Sequence, residues 1–563
     1  MKTILRLIQQ VLPTIWIALA GVALPAGAAF NVTINSTGPQ SGGSFSGRVW
    51  TPTAPSSVIL VSNLLAQLEG GDVIINANGG GVEAGNITIS STVPLDDLVT
   101  TSGRTLTLNA HNDIAINAVI TQSGAGGNNV PNAVNLIFNA NSDNSGAGSV
   151  TQVANMQTGG GGMLVSGVGF TQNAAMTLDT QGGNLVVSVT GAVSLGGSSV
   201  STGGGRIDIA AVNASTLSAA ITTSGGVFNA DVTGAGAFNI NNDITTSGGT
   251  VDITTANGTL QTAAGADVNA TGGAGVSAIR LESLNGVANL VIAGSVASGS
   301  GGVRIAAGNH VTVSGAVSAS GGPVTLAADT NAGGVGDLTL NSAVSTTGAG
   351  TISLTGQGFA QAGTGTVASS SGSITANFFN AFVISRAITS TSGAMSMSGG
   401  AVTLNAAVSG GGGVSIITAG ITGNAGGTVT AQNNTITLTG SSGAVDIIEA
   451  IQSNGGNINV SAGTTLDLGS GLMSSGGGVI TLTSVGNMSL FGAMTTSGGA
   501  FNADVTGTGT LSIQNDITTS GGNVDITTAN GLLQTTAGSD LNGSGGAGTA
   551  ALRLESLNGN AAL

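Results

Sequence analysis

Two histidines are the residues of this chain with the clearest potential for catalysis or metal binding. His111 lies in the triplet His111-Asn112-Asp113, and His310 is the only other imidazole in the sequence. Zinc sites combine several His, Cys or carboxylate ligands, so one histidine per site is too few. We therefore interpret His111 and Asn112 as corner residues at the start of a strand, and the sequence predicts no catalytic residues and no metal ligands.

A second motif, GGVGDLTL at residues 333–340, is similar to the calcium-binding nonapeptide of some repeat proteins. It lacks one residue between glycine and aspartate, and it occurs once, whereas calcium sites of that type are built from tandem copies. The sequence therefore predicts no bound cofactor, and it leaves calcium dependence open.

Opposite charges stand two residues apart at Arg280 and Glu282, and again at Arg553 and Glu555. Side chains two apart in a strand share a face, so each pair predicts an outward ion pair, worth under about 1 kcal/mol if exposed. Enzymes that cleave polysaccharides need acidic and basic groups clustered across adjacent strands. Because only 6% of the residues are charged, we predict that the protein is not an enzyme, with a polysaccharide-acting enzyme as the alternative.

The strongest pattern in the sequence is a block duplication. Residues 222–290 align without a gap to residues 495–563, and 51 of the 69 positions are identical. An array of units gains length when a whole number of units is copied, so the duplication indicates a repeat protein. We interpret the following copied side chains as structural: Asp243, Asp252 and Phe228, which recur as Asp516, Asp525 and Phe501.

A shorter period lies within the duplicated block. TTSGG occurs at residues 222–226 and 245–249, and again at 495–499 and 518–522, with a spacing of 23 residues each time. Each Gly-Gly turn is followed by a run such as RIDIAA or VDITTA, whose alternation is typical of a half-buried strand. The pattern predicts an all-β fold, a right-handed parallel β-helix (solenoid) of about 20–23-residue coils and roughly 25 coils in all. A β-propeller is the structural alternative, because two coils have about the length of one blade.

Composition and proline placement favour the same fold. The 563 residues include 98 glycines and no cysteine, and 40% of them are hydrophobic, so the chain can bury a core without disulfides. Seven of the eight prolines lie at or before Pro131, and Pro323 directly follows the turn at Gly321-Gly322. Because proline cannot donate to a strand ladder, residues 132–563 are predicted to be hydrogen-bonded almost continuously.

Residues 1–29 have the features of a cleavable secretory signal peptide, with Lys2 and Arg6 before an apolar stretch and small residues at 26–28. An uncleaved anchor is the alternative. Beyond residue 29 the chain has no lysine, and seven arginines stand against 24 acidic residues. Nucleic acids and anionic lipids require a basic surface, so we expect neither as a partner.

Three regions follow from these patterns. Residues 1–29 are the predicted signal peptide, residues 30–150 a less regular N-terminal part of the solenoid, and residues 151–563 the regular repeats. The second copy of the duplicated block stops where the first continues as VIAGSVASGSGG, so we expect the native protein to continue beyond Leu563.

Several segments resemble the passenger repeats of bacterial filamentous-haemagglutinin-like and autotransporter-like surface proteins. They include LEGGDVIINANGGGVEAGNITISSTVPL (68–95), RTLTLNAHNDIAINAVI (104–120) and AVNLIFNANSDNSGAGSV (133–150). The resemblance implies an exported adhesin or filament on the surface of a Gram-negative bacterium, outer-membrane associated. It further implies an outer-membrane translocator, either a partner or a barrel of its own, and a host or neighbouring-cell glycan or protein as ligand. An inert surface stalk is a further alternative.

Overall fold

The computed structural model describes residues 29–77, 81–98, 103–122, 133–271, 278–544, 551–558 and 561–562. The chain is nearly all β, with 3% helix, and its parallel strands stack into a β-solenoid of about 22 turns with a spacing of about 22 residues. The predicted all-β solenoid is therefore confirmed, and the propeller alternative is wrong. The predicted signal peptide lies outside the described residues, apart from Ala29.

The number of turns is lower than the roughly 25 expected from length alone, because several coils carry longer turns. Val251 pairs with Ile279 of the next coil, 28 positions along the chain. Within the described ranges, no helix has both the length and the apolar character needed to cross a membrane.

Two compact units divide the chain. The first comprises residues 1–178 and 187–190, and the second comprises residues 179–186 and 191–563. Two strands lie at the division, Thr177–Asp179 and Leu185–Val189.

The first unit contains the features that sequence analysis did not predict. Strands Gly43–Ser46 and Val49–Pro52 form an antiparallel hairpin, in which the buried Trp50 ring lies 5.0 Å from that of Phe45. An α-helix follows at Val61–Gly70 and buries Val61, Leu64 and Leu68 along one stripe. Its apolar spacing is compatible with a helix, but the segment is short and lies in a sequence dominated by strand signals.

The other strands of the first unit pair in parallel. They are Val32–Asn35, Ser57–Leu60, Val73–Asn76, Ile87–Ile89, Val93–Pro94, Arg104–Asn109, Ile114–Ile116, Ile120–Thr121, Val134–Asn139, Ser149–Gln152, Met156–Gln157, Met163–Gly167 and Gly169–Gln172, with a 3₁₀ turn at Leu95–Asp97. Asn76, Asn109 and Asn139 occupy one register position, and their side-chain amides are hydrogen-bonded in sequence at 2.9 and 2.8 Å.

Each coil of the second unit contributes one strand to each of three faces, A, B and C. The alternation predicted from sequence is present: Phe228, Ala230 and Val232 point into the core, and Asn229 and Asp231 point outward. The core is therefore a continuous column of aliphatic and aromatic side chains that successive coils bury against one another.

Face A consists of Ile207–Ala211, Phe228–Val232, Val251–Thr255, Ile279–Ser283, Val303–Ala307, Val324–Ala327, Ile352–Gly356, Ile374–Phe378, Met395–Gly399, Val414–Thr418, Ile436–Gly440, Ile458–Ala462, Ile480–Ser484, Phe501–Val505, Val524–Thr528 and Leu552–Ser556.

Face B consists of Val193–Leu195, Ser215–Leu217, Phe238–Ile240, Leu260–Thr262, Leu290–Ile292, Val311–Val313, Asp337–Leu340, Gly358–Gln361, Phe382–Ile384, Val402–Leu404, Ile421–Gly423, Val445–Ile447, Leu466–Leu468, Met488–Leu490, Leu511–Ile513, Leu533–Thr535 and Ala561–Ala562.

Face C consists of Ser199–Ser201, Ala220–Thr223, Ile244–Thr246, Val268–Ala270, Val296–Ser298, Val317–Ala319, Val344–Thr346, Val367–Ser369, Ile388–Ser390, Val408–Gly410, Val429–Ala431, Ile451–Gln452, Met473–Ser474, Met494–Thr496, Ile517–Thr519 and Leu541–Gly543.

The TTSGG motif is explained by the turn between faces C and A. Thr246 is fully buried, and its hydroxyl donates to the carbonyl of Gly249 at 2.8 Å. Gly248 has a φ of +126°, which favours glycine, and a Cβ on Gly249 would lie 2.0 Å from the carbonyl oxygen of Gly226 in the preceding coil. Thr246, Gly248 and Gly249 of the motif are thus fixed by the turn or by the neighbouring coil.

The ladder of face B is interrupted at one place. Strand Gly358–Gln361 ends one hydrogen-bonded sheet, and strand Phe382–Ile384 begins the next. Three internal aromatic rings pack at this interruption: Phe359 stacks on Phe378 at 4.7 Å, and Phe378 packs against Phe382 at 5.2 Å. Aromatic packing therefore connects two coils that lack the usual backbone ladder on this face.

Candidate functional site

The three residues of the His111-Asn112-Asp113 triplet contact different partners. Nδ1 of His111 lies 3.7 Å from a carboxylate oxygen of Asp143. The amide of Asn112 donates to the side chain of Asn86 at 3.0 Å, and the Asp113 carboxylate accepts the backbone N–H of Ser149 at 2.9 Å. The asparagine thus belongs to a corner ladder, in agreement with the interpretation from sequence.

His310 also has a local structural contact. Its Nδ1 accepts the backbone N–H of Asp337 at 3.0 Å, which links two successive coils. Because the ring nitrogen that faces the neighbouring coil is occupied by this hydrogen bond, His310 serves here as a bridge between coils.

The loop that includes GGVGDLTL is shaped by one carboxylate. Asp329 accepts the backbone N–H of Gly334 with both oxygens, at 3.2 and 3.3 Å, and accepts the side-chain amide of Gln357 at 2.6 Å. Among the described residues, no group of three or more histidine or acidic side chains is arranged to hold a metal ion.

Charged side chains on face A meet across three successive coils. Arg280 Nη2 lies 2.6 Å from Asp252, and its Nη1 lies 2.9 Å from Glu282. Glu282 also accepts from Nε of Arg304 at 2.5 Å. We call Asp252, Arg280, Glu282 and Arg304 the charged cluster; the sequence predicted only its Arg280–Glu282 pair.

The side chains of the charged cluster are less exposed than the sequence suggested for the Arg280–Glu282 pair. The side chain of Glu282 is 9% exposed and that of Arg280 is 25% exposed. Partial burial lowers the pKa of Arg280, but the hydrogen bond that Arg280 donates to Asp252 and the charges of Asp252 and Glu282 outweigh it and raise that pKa. The guanidinium is therefore always charged and neutralises two carboxylates at once.

Asp231 lies beside the charged cluster in the preceding coil, at the register position that Thr254 occupies in the next. Asp231 is exposed as a whole residue, but neighbouring side chains pack around its carboxyl group. This local burial raises the pKa of Asp231. A hydrogen bond from Thr254 opposes that rise, whereas the negative charge of Asp252 adds to it. Burial and the charge of Asp252 thus both favour the protonated form of Asp231.

A pair of aspartates on face B was missed by sequence reasoning. Asp446 and Asp467 occupy the same register position on adjacent coils. Partial burial, and then the charge of Asp446, raises the pKa of Asp467. The sequence signal was present, since each aspartate is the middle residue of an alternating triplet, VDI or LDL, but only the register brings the two together.

A groove of about 620 Å³ opens at the corner that follows the face-A strands of the second unit. Phe379 is 77% exposed in its wall. The groove is lined by Ala328, Asp329, Thr330, Ala332, Thr355, Gly356, Gln357, Asn377, Phe379, Gly399, Gly400 and Ala419. Sequence reasoning missed it, although the doubled phenylalanine at 378–379 breaks the alternation and places one ring outward.

Comparisons with known proteins do not identify this chain. No protein-family model matches it, and no curated protein matches it. Function is therefore inferred from the fold and from the two outward features, the charged cluster and the groove.

Proposed function

We propose that the protein is an exported cell-surface adhesin or filament passenger of a Gram-negative bacterium, which mediates attachment through its β-helical stack. The observation that carries this proposal is the repeated stacking of face-A strands among the described residues of the second unit. Sixteen face-A strands follow one another in parallel, so at a strand spacing of about 4.8 Å the face extends roughly 70 Å along the stack. Repeat stacks of this kind present long surfaces for binding.

The outward residues of this surface are better suited to binding other molecules than to catalysing reactions. Most outward positions carry small uncharged polar side chains, such as Ser353, Thr375, Ser396 and Ser415, which stack in one column of face A. Hydroxyl groups of this type form hydrogen bonds with water or a ligand without strong charge. The proposed partner is a glycan or protein on a host or neighbouring cell, and an outer-membrane translocator is proposed for export.

Protease shaving of intact cells tests the proposed location. Cells that express the native protein are treated with proteinase K and immunoblotted, with a periplasmic protein as the control for membrane integrity. We expect the band to disappear on treatment while the control band persists. A band that is protected, or that is found only in the medium, would contradict a tethered adhesin.

Attachment itself needs a second measurement. Binding of the purified chain to epithelial cells and to bacterial cells is measured by flow cytometry after fluorescent labelling. Saturable binding to either cell type is expected. A chain that reaches the surface and binds neither would instead be a stalk.

The charged cluster favours one alternative, a secreted enzyme that acts on polysaccharides. Carboxylates and an arginine do meet across adjacent coils, and burial raises the pKa of Asp231 beside them, which is the direction that favours a general acid. Release of reducing sugar from acidic polysaccharides is the measurement. Release that is lost in the Asp231→Asn variant would favour the enzyme over the adhesin.

A further inference from the structure

The groove at Phe379 spans neighbouring coils in a regular way. Ala328, Thr355, Asn377, Gly399 and Ala419 come from five consecutive coils at or just after the end of the face-A strand. Four steps of about 4.8 Å give a length of roughly 19 Å, comparable to a short extended oligosaccharide. The groove is therefore long enough for a chain-like ligand.

Phe379 presents an aromatic face to solvent from a fixed backbone. Its N–H donates to the carbonyl of Gly356 at 3.2 Å, and the adjacent Phe378 is held in the internal aromatic stack. Exposing most of a phenylalanine ring opposes the hydrophobic effect, and aromatic side chains are enriched at binding interfaces. The face of an aromatic ring packs well against the C–H groups of a pyranose.

Polar groups line the groove around this ring. The amide of Asn377 is exposed and makes no hydrogen bond with the described residues, so both its donors and its acceptor are open to a ligand. Asp329 and Gln357 face the same groove and are joined by a 2.6 Å hydrogen bond. An amide together with a carboxylate offers both donors and acceptors to the hydroxyl groups of a sugar.

The charge of the groove restricts the class of ligand. Its lining includes one carboxylate, Asp329, and no basic side chain. The chain beyond residue 29 has no lysine at all. Sulfated or uronic-acid polysaccharides require basic groups to neutralise them, so an uncharged saccharide is the glycan that fits.

We propose that this groove binds a short segment of a neutral glycan, with one sugar ring against Phe379 and its hydroxyl groups bonded by Asn377, Gln357 and Asp329. The proposal rests on the proposed adhesive function, for which it supplies a contact site and a ligand class. The interruption of the face-B ladder beside Phe378 agrees with a site at this corner, because departures from a regular repeat concentrate where proteins bind.

The test uses the full chain and defined oligosaccharides. Binding of cellohexaose, maltohexaose, mannohexaose and laminarihexaose is measured by isothermal titration calorimetry, with a heparin hexasaccharide as the anionic probe. We expect at least one neutral hexaose to bind, Phe379→Ala to weaken it by about tenfold or more, and Phe379→Trp to retain it. Phe491→Ala removes another exposed phenylalanine, 40% exposed, and is expected to change nothing.

Two results would overturn the groove proposal: no binding of any neutral hexaose, or binding that Phe379→Ala and Phe491→Ala affect equally. The cell-binding assay tests the groove proposal separately from the adhesin proposal. If the chain binds cells and Phe379→Ala binds them equally well, the adhesin remains and the groove proposal fails. If the chain binds a hexaose through Phe379 and binds no cell, the glycan site remains and the adhesin proposal fails.

Discussion

The two copies of the duplicated block place the same charged residues in different surroundings. In the first copy Arg280 lies 2.9 Å from Glu282, and the two side chains are 25% and 9% exposed. In the second copy Arg553 lies 3.4 Å from Glu555, and the side chains are 48% and 44% exposed. Both arginines also bind an aspartate of the preceding coil at 2.6 Å, Asp252 or Asp525, so the two copies differ in solvent exposure and in the distance to the glutamate.

Stacking explains the difference. Strand Ile279–Ser283 pairs with Val251–Thr255 on one side and Val303–Ala307 on the other, and the latter supplies Arg304 to Glu282. Within the described residues, strand Leu552–Ser556 pairs with Val524–Thr528 alone. A neighbouring coil thus removes solvent from the pair and contributes a second arginine, so the strength of an ion pair in this fold depends on the coils around it.

The largest expected effect is removal of the arginine from each copy. Arg280→Ala leaves Asp252 and Glu282 without their shared cation in a half-buried site, and we expect a loss of about 3 kcal/mol in local stability. Arg553→Ala removes contacts with Asp525 and Glu555 that are exposed to solvent, and should therefore reduce local stability by much less. Hydrogen exchange of strands Ile279–Ser283 and Leu552–Ser556 measures both. Equal loss of protection would show that burial does not distinguish the copies.

A smaller change at the turns should affect both copies alike. A Cβ on Gly249 or on Gly522 would lie 2.0 Å from the carbonyl oxygen of Gly226 or Gly499 in the preceding coil. Alanine at either position forces the coils apart, and we expect about 1–3 kcal/mol of destabilisation in each case.

Hydrogen exchange over the adjoining face-A strands tests this expectation. Ser247→Ala, which changes an outward residue of the same turn, is the matched control. A large difference between the two glycine variants would mean that the copies also differ in backbone packing.

The smallest expected effect concerns pH. The folded state raises the pKa of Asp231 above its ordinary value of 3.8, so the protein loses stability as pH rises from about that value through the folded pKa. Asp231→Asn should therefore be slightly more stable than the native protein at pH 7 and should show no advantage at pH 3; the effect is small because solvent screens this exposed side chain. Thermal melting at both pH values measures this, with Asp504→Asn as the matched variant in the second copy. A gain that is the same at both pH values would exclude titration as its cause.

Much of the fold could be predicted from sequence because its signals are local and repeated. Coil after coil repeats an alternation over five residues, a Gly-Gly turn and a buried threonine. Each coil therefore supports the structure predicted for the next. The hairpin Gly43–Ser46 and Val49–Pro52 and the helix Val61–Gly70 occur once each, and the sequence analysis missed both. A short element that occurs once is harder to predict, because no second copy of its pattern supports the assignment.

Less of the candidate sites could be predicted. The Arg280–Glu282 pair followed from spacing within one strand, and the structure places those two side chains in contact. Asp252 and Arg304 joined them only through register, since they lie 28 and 22 positions from their partners. The groove at Phe379 could not be predicted from a local pattern, because residues from five coils line it.

The sequence by itself determined the period of the coil, the inward and outward residues of its strands, and the glycines of its turns, because each depends on backbone geometry within one unit and its copy. Only the tertiary structure decided which charges are buried, which aspartates face each other and where a groove opens. Those properties depend on the exact register between coils and on the length of each turn, and turn length varies along the chain without a regular pattern.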